Sequence, residues 1–366
     1  MAVVSAGPEQ QQQIPQIQRA RLLAGAVGAI EEHGYARTTV SHITARARIS
    51  RRTFYELFEN RDACVVALID ETVAALETQI AAAELGGEPW RERVRGGLQI
   101  ILAHLDREPA LARVCVVQAL RGGAPVLAVR ERVLARLAAV LDEGRAQGTA
   151  GADCTPLVAE GLVGAIFGIV YARLARRERA PLTDLLGQLM GLIALPYLGA
   201  AAARRERARN TPPLPPAELG RADRGSGDGV VDPLGGVQMR LTYRTMRVLE
   251  GVAEHPGASN RAAGERAGIA DPGQVSKLLA RLQRLGLLAN DGARVKGEPN
   301  AWTLTAKGAL VAENIRAHAP TQTAVGNTTN ASAAGGRAPS AGVGKKHPSR
   351  REGRRSPAYT EGRKSL

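Results

Sequence analysis

The residues whose types best suit chemistry form a short run near the N-terminus, SRRTFYELF, which begins at Ser50. An arginine side chain can donate two hydrogen bonds to the O6 and N7 atoms of one guanine, and threonine and tyrosine hydroxyls can bind phosphate oxygens. Such groups stand at Ser50, Arg51, Arg52, Thr53 and Tyr55. This combination of side chains predicts contacts with the base edges and the backbone of DNA.

A set of short helices is needed to position this run. Apolar residues recur at helical spacing before Gly34, which is expected to end the first helix. Thr38 and Thr39 offer a hydroxyl cap for the second helix, Ser50 is suited to cap the third, and Asn60 opens a fourth. Phe54 and Phe58 lie four residues apart and would anchor the third helix on the other two. The pattern predicts a three-helix bundle containing a helix-turn-helix, whose last helix enters the major groove.

The order GYARTTVSHITARARISRRTFYELFENRDA resembles the DNA-binding domain of the TetR family. The resemblance implies a phosphate contact from Arg61, where such proteins commonly carry Lys. Arg48 stands where the turn usually holds Gly, so the turn either avoids positive φ or tolerates its cost. Leu57 replaces a common His and removes one possible phosphate donor. Operator contacts are implied for Thr39, Ser50, Arg51, Arg52, Thr53 and Tyr55.

Residues 66–205 resemble the helical ligand-binding and dimerisation part of such proteins. The resemblance implies a ligand-responsive repressor that binds a pseudo-palindromic operator in double-stranded DNA as a homodimer. Glycine destabilises a helix interior, so glycines in the last two helices favour close helix approach at a dimer interface. These are Gly161, Gly164, Gly168, Gly187 and Gly191. A small-molecule effector pocket is also implied, and Trp90, His104, Arg113 and Gln118 either line it or are surface or interface residues.

A second compact pattern follows at residues 237–318. Asp271 and Pro272 form a strong helix start, and Gly286 ends that helix. A helix, a helix-turn-helix and a predicted hairpin together resemble the winged-helix domain of MarR-type regulators. Such a domain either binds DNA or binds another protein. The candidate DNA contacts are Gln274, Lys277 and Arg281 on the helix, with Arg294 and Lys296 in the hairpin.

The fold class predicted is mostly α, with a small α+β domain near the C-terminus. We expect a polar arm (1–15), a helix-turn-helix domain (16–65), a helical body (66–205), a Pro- and Gly-rich linker (206–236), a winged-helix domain (237–318) and a basic disordered tail (319–366). The formal charge is +14, yet nine Lys and Arg against two Glu fall in residues 317–366. The positive charge of the tail is therefore expected to add non-specific, salt-sensitive affinity for DNA.

The remaining features exclude several classes of protein. The six His show no metal-ligand spacing, and GSGDG at Gly225 lies in the linker without the strand and helix of a phosphate-binding turn. We therefore predict no catalytic residue, no metal and no cofactor. Three isolated Cys and the lack of a signal peptide favour a reducing cytoplasm. The apolar stretch Leu185–Ala203 is interpreted as a buried subunit-interface helix rather than a membrane span.

One alternative to a ligand-controlled regulator stays open. An architectural protein could use two DNA-binding heads and the basic tail to coat DNA without control by a ligand. Such a protein would show little preference for an operator, whereas a repressor would keep its preferred site after deletion of the tail.

Overall fold

Helices make up most of the chain that the computed structural model describes, namely residues 8–147, 154–210, 232–237, 239, 241–292 and 299–317. The first four are α1 (Pro8–His33), α2 (Val40–Ala47), α3 (Arg51–Leu57) and α4 (Arg61–Ala82). The predicted polar arm is wrong from residue 8 onward, because α1 begins there. Gln and Glu are good helix formers, and Ile17 is fully buried, so this segment has both the propensity and the packing of a helix.

Capping residues fix the ends of these helices where the sequence predicts. Thr39 and Ser50 each accept a hydrogen bond from a backbone N–H of the helix they precede, at 3.3 and 3.1 Å. Asn60 caps α4 in the same way, at 2.9 Å from the Ala63 amide. Gly34 ends α1 with φ of 73°. Arg48 adopts φ of 53°, so the turn between α2 and α3 tolerates the left-handed conformation without a glycine.

The helical body follows as α5 (Trp90–Arg107), α6 (Pro109–Ala112), a π-helical turn (Arg113–Val117), α7 (Ala124–Asp142), α8 (Pro156–Ala175) and α9 (Leu186–Ala208). Short 3-10 turns lie between the helices of the N-terminal domain and of the body, at Tyr35–Arg37, Leu85–Gly87, Gln118–Arg121, Glu143–Gln147 and Leu182–Leu185. Its core contains Trp90 packed edge-on against Tyr197, with ring centroids 5.4 Å apart. The Trp90 indole N–H donates to the Val140 carbonyl at 2.9 Å, so this aromatic pair joins three helices.

The helix α9 reverses direction at Gly199, which has φ of 81°. The part after Gly199 packs back on the part before it. A Cβ at Gly187 would lie 3.3 Å from the Glu206 carbonyl, and one at Gly191 would lie 3.1 Å from the Ala203 carbonyl. The prediction that Gly187 and Gly191 serve a dimer interface is therefore corrected. Their missing side chains let two parts of one chain approach each other.

Two helical segments, α8 and Leu182–Ala208, are long and apolar enough to cross a membrane by length and composition alone. In the second segment the reversal at Gly199 leaves two parts, each shorter than the roughly 20 residues that a span needs. Glu206 in its last turn is buried and pairs with Arg95 of α5. These features favour the interpretation of this segment as a helix buried in a protein core.

The second compact part contains α10 (Tyr243–Glu254), α11 (Asn260–Arg266), α12 (Pro272–Arg284) and α13 (Ala306–Ala317), with the strands β1 (Leu288–Asn290) and β2 (Trp302–Leu304). The strands pair antiparallel, with Leu288 opposite Leu304. Asp271 caps α12 as predicted, accepting from the Gly273 amide at 2.8 Å. Gly308 at the start of α13 lies so close to the Leu287 carbonyl that a side chain would collide with it.

The core of this second part includes residues of α1 and of the predicted linker. Ile17 packs in the same hydrophobic cluster as Leu234 and Val237. Arg21 of α1 donates to the Met239 carbonyl at 3.0 Å and pairs with Asp232 at 3.2 Å. The linker prediction was thus wrong at both of its ends, since 206–208 are helical and 232–237 pack in a core. Most of the linker and the predicted tail lie outside the described residues.

Candidate nucleic-acid interface

Two buried aromatic rings hold α3 on the domain core. Phe54 is fully buried and Phe58 nearly so, with ring centroids 5.6 Å apart. The guanidinium of Arg19 on α1 lies 5.0 Å from the centroid of the Phe58 ring. Because one face of α3 is fixed in this way, the opposite face is presented to solvent. That face carries Ser50, Arg51, Arg52 and Tyr55, and the Tyr55 side chain is 56% exposed.

The two arginines on this face are accessible to a partner. Arg52 is 90% exposed and its Nε donates to Glu56 one turn away, at 2.9 Å. A surface pair of this kind contributes only about 0.3–0.5 kcal/mol, so Arg52 can exchange it for a base or a phosphate. Arg51 is also exposed. Ser50 and Thr53 bond to each other through their hydroxyls at 2.9 Å, so capping α3 already occupies part of their capacity.

Thr39 stands at the surface where α2 begins. Its hydroxyl caps α2, and the Nδ1 atom of His42 accepts from the Thr39 amide in return, at 3.4 Å. The ring of His42 lies against His33 of α1, with centroids 4.3 Å apart. Thr39 is therefore held in place beside α3 by a reciprocal cap.

Arg61 is hydrogen-bonded within the domain in this structure. Its guanidinium donates to the carbonyls of Tyr35 and Thr38, both at 3.0 Å, and to Asp62 at 3.1 Å. It also lies over the Tyr35 ring, 4.4 Å from the centroid. These donors bind the backbone of the turn between α1 and α2, so the phosphate contact predicted for Arg61 would require it to exchange some of these hydrogen bonds.

Asp62 is a central residue of the domain that the sequence does not reveal. It accepts a hydrogen bond from the Tyr35 hydroxyl at 2.8 Å and one from the Gly123 amide at 3.1 Å. Burial raises the pKa of the Asp62 carboxyl, but hydrogen bonds from Tyr35 and Arg61 outweigh this and hold its pKa below the usual value. The same arrangement raises the pKa of Tyr35, mainly through burial. Gly123 is too far along the chain for any local pattern to signal this contact.

We expect the variant Asp62→Asn to lower the free energy of unfolding at pH 7 by roughly 1–3 kcal/mol, because buried donors lose a charged acceptor. A carboxyl whose pKa is depressed in the folded state stabilises the fold above its unfolded pKa, and that contribution is lost as the pH falls through the folded value. The wild type should therefore lose stability below about pH 4 more steeply than the variant. Urea unfolding across this range measures the difference. The variant Asp70→Asn is the control, since Asp70 is exposed with one long contact to Arg132. An equal loss in both variants would contradict the assignment.

The helical body also contacts the N-terminal helix-turn-helix through polar side chains around the π-helical turn. Arg113 of the π-helical turn pairs with Glu31 of α1, with Nη2–Oε2 at 2.6 Å and Nε–Oε1 at 3.0 Å. The Gln118 side chain accepts from the Tyr35 amide at 3.3 Å. Arg113 and Gln118 are therefore residues of the contact between the two parts. The helical body also contains an apolar cavity among α4, α5, α7 and α8. Trp90 and His104, which the sequence offered as pocket residues, are buried, and neither lines this cavity.

A second polar face lies on α12. Val275, Leu279 and Leu282 are buried, which leaves Gln274, Lys277 and Arg281 exposed as predicted. Gln274 accepts from Arg244 of α10 at 3.0 Å. The hairpin is tied to α11 through Asn260, whose carbonyl oxygen accepts from the Trp302 indole at 2.6 Å and from Asn300 at 2.9 Å. The predicted contacts Arg294 and Lys296 lie outside the described residues.

Comparison with known proteins gives consistent results. Residues 22–68 match the family model of bacterial regulatory proteins of the tetR family. The chain is 29% identical over 176 residues to an uncharacterized HTH-type transcriptional regulator of Mycobacterium tuberculosis, covering 47% of this chain and 78% of that one. It is 27% identical over 171 residues to the A-factor receptor protein of Streptomyces griseus, covering 46% and 58%. A solved structure of the fatty acid degradation regulator FadR from Bacillus halodurans is 20% identical, covering 52% of this chain and 96% of that one, with a TM-score of 0.43.

The segment matched by the family model contains the whole of α2 and α3, and therefore the face built around Arg51 and Arg52. The relative from Mycobacterium tuberculosis is named as a transcriptional regulator of the helix-turn-helix type. Residues 22–68 thus match the helix-turn-helix of tetR-family regulators, and the chain is a DNA-binding transcriptional regulator.

Proposed function

We propose that the protein is a homodimeric, ligand-responsive repressor, which reads a pseudo-palindromic operator through the exposed face of α3. The observation that carries the proposal is the fixation of α3 by Phe54 and Phe58, which leaves Arg51 and Arg52 at the surface. Tyr55 extends this face, and Thr39 lies at the start of the neighbouring helix. Arginine is the side chain most often used to distinguish guanine in the major groove.

The outer face of α8 supports the homodimer. Leu157 is 70% exposed, and Gly161, Gly164, Gly168 and Tyr171 follow it at helical spacing on the same side. A Cβ added at any of these three glycines would meet nothing within 4 Å. Glycine in a helix costs about 0.5–1 kcal/mol relative to alanine, and no contact within the described protomer accounts for it here. A second copy of α8 packed on this face would account for both the exposed leucine and the glycines.

A cavity in the helical body supports control by a ligand. It has a volume of about 720 Å³ and lies among α4, α5, α7 and α8. This volume is within the range of known small-molecule sites, which is about 300–1,000 Å³. One relative is named as a receptor, namely the A-factor receptor protein.

The contacts between body and DNA-binding domain offer a route for that control. Cys115 and Val116 line the cavity, and both belong to the π-helical turn that also carries Arg113. Arg113 donates hydrogen bonds to Glu31 of α1, and Gln118, directly after the turn, accepts a hydrogen bond from the Tyr35 amide. A ligand that displaces the turn would therefore move the domain that carries α3.

The second part of the chain fits a winged-helix domain that adds a DNA contact. Its order of helices followed by an antiparallel strand pair is that of such a domain, and Lys277 and Arg281 are exposed on α12. Selection of preferred sites from random DNA by the intact protein tests the whole proposal. A palindromic site with an added half-element is expected. Uniform recovery of unrelated sequences would contradict it and favour a DNA-coating protein.

We expect the variant Arg52→Ala to weaken binding to the selected operator by about 5- to 150-fold, because a good bidentate contact to guanine contributes about 1–3 kcal/mol. Loss of preference at one base pair should accompany the weaker binding. Competition binding with operators changed at single positions measures both effects. The variant Arg205→Ala is the control, since Arg205 is exposed on α9. If Arg52→Ala weakens all sequences equally, Arg52 binds a phosphate and reads no base.

A further inference from the structure

The cavity of the helical body is lined almost entirely by aliphatic side chains, among them Leu76, Ile101, Leu105, Leu134 and Ile166. Its charged lining residues differ in whether they have partners. Arg93 pairs with Glu143 and Arg136 pairs with Glu77, so four of these charges are already balanced. Glu84 also lines the cavity, but it is exposed to water.

Arg130 is the exception. The Nε atom of its side chain is buried and has no hydrogen-bond partner among the described residues. Its guanidinium lies over the ring of Phe167, 4.7 Å from the centroid, and both residues line the cavity. Arg130 as a whole is half-buried, but a buried N–H of a cationic group without an acceptor costs free energy, so its position beside an apolar cavity calls for an explanation.

The other polar groups of the lining do not supply the missing acceptor charge. The Thr72 hydroxyl donates to the Leu68 carbonyl at 2.8 Å. Burial raises the pKa of the Cys115 thiol to about 12, so this group stays neutral near pH 7. Within the described chain, the carboxylates at the cavity are either paired with other arginines or exposed to water.

We infer that the cavity binds an amphipathic organic anion, whose apolar body fills the aliphatic space and whose carboxylate pairs with Arg130 above the Phe167 ring. A planar guanidinium matches a carboxylate in charge and in the geometry of its donors. The inference names the chemical class of the effector and rests on the proposed ligand-responsive function. It also predicts the order of affinity for ligands of one shape: an anion above a neutral alcohol, and an alcohol above a cation.

Direct binding to the intact protein tests this order. The probes are dodecanoate, dodecanol and dodecyltrimethylammonium, which share one alkyl chain. Their binding is measured by calorimetry, with the two ions below their critical micelle concentrations and dodecanol below its solubility limit. The wild type should bind dodecanoate roughly 10- to 100-fold more tightly than dodecanol, as expected for a hydrogen-bonded charge pair. The variant Arg130→Gln should bind the two with similar affinity, while Arg130→Lys should keep part of the preference. The variant Arg132→Gln is the matched control, because Arg132 lies on the same helix, is 61% exposed and is absent from the cavity lining.

Equal binding of dodecanoate and dodecanol by the wild type would overturn the inference, as would binding of none of the probes. An unchanged preference in Arg130→Gln would overturn the role of Arg130. Circular dichroism of each variant shows whether it is folded. If Arg130→Gln does not fold, the affinities of Arg130→Lys for dodecanoate and dodecanol still test the role of Arg130. The same ligand is then added to the complex with the selected operator. Tight, Arg130-dependent binding of dodecanoate without release of DNA would support the anion site and contradict the proposed ligand-responsive function.

Discussion

The variant Glu206→Ala should lose about 3–5 kcal/mol of unfolding free energy, a large fraction of the roughly 5–15 kcal/mol that stabilises an ordinary domain. The Glu206 side chain is 2% exposed and accepts from Arg95 at 2.8 Å, and the Arg95 side chain is itself 5% exposed. Removing the carboxylate leaves a guanidinium buried without its partner. Arg91 lies 3.4 Å from the same carboxylate but is more exposed, so it can turn to water. Urea unfolding followed by far-UV circular dichroism measures the loss.

A double variant separates the cost of an unpaired charge from the value of the ion pair. Replacing Arg95 with Met and Glu206 with Leu removes both charges and keeps apolar volume, so its stability should lie well above that of Glu206→Ala. The exposed pair of Arg132 and Asp70 provides the control, because Asp70→Ala should change stability by less than about 1 kcal/mol. A Glu206→Ala protein as stable as the Asp70→Ala protein would show that the buried carboxylate contributes little.

The variant Gly164→Leu should leave each protomer folded and separate the proposed dimer. Gly164 is exposed and nothing lies within 4 Å of a Cβ placed there, so the leucine is expected to extend away from the protomer, and it favours helix more than glycine does. The added side chain would instead occupy the space of a second α8. Loss of one head from the operator should weaken binding by roughly 100-fold or more, because the second contact is no longer intramolecular. Light scattering during size-exclusion chromatography and operator titration measure the two effects.

The variant Ala128→Leu is the matched control for this experiment. Ala128 is exposed on α7, so the substitution adds the same bulk to a helix surface outside the glycine face. It should leave both the mass of the particle and the affinity for DNA unchanged. If Gly164→Leu keeps the mass of a dimer, or if the wild type is a monomer, the outer face of α8 is not the dimer interface.

The sequence was sufficient for the features that depend on neighbouring residues. The caps at Thr39, Ser50 and Asn60 each bind a backbone amide within three residues, and type and position are enough to identify them. Phe54 and Phe58 lie one helical turn apart, so the periodic pattern already indicated the buried face of α3. The exposed face that carries the arginines followed from that pattern by exclusion.

The errors arise where a side chain binds a residue far along the chain. The hydrogen bonds of Arg61 were not foreseen, because two carbonyls of a turn more than twenty residues earlier accept its donors. Gly187 and Gly191 were correctly recognised as points of close approach, yet the sequence could not say whether the partner was a second chain or a later part of the same helix. The resemblance implied an effector pocket, but the residues that line the cavity were not identified, because its aliphatic lining has the same spacing as an ordinary core. Arg130 was the available signal, as a cation within an apolar helix, but many such residues simply extend into water.

The first helix belongs to two hydrophobic cores at once. Its later residues, such as Leu22 and Leu23, complete the core of the DNA-binding domain, while Ile17 completes the core built around α10 and α12. The two candidate DNA-binding domains cannot rotate independently unless Ile17 becomes exposed to water and the ion pair between Arg21 and Asp232 breaks. In the proposed complex with DNA, the helix α1, which packs in both cores, therefore sets the interval between the two target elements. In a chain shortened to residue 210, Ile17 would be exposed to water and Arg21 would lack Asp232, both on the helix that also forms the core of the N-terminal domain.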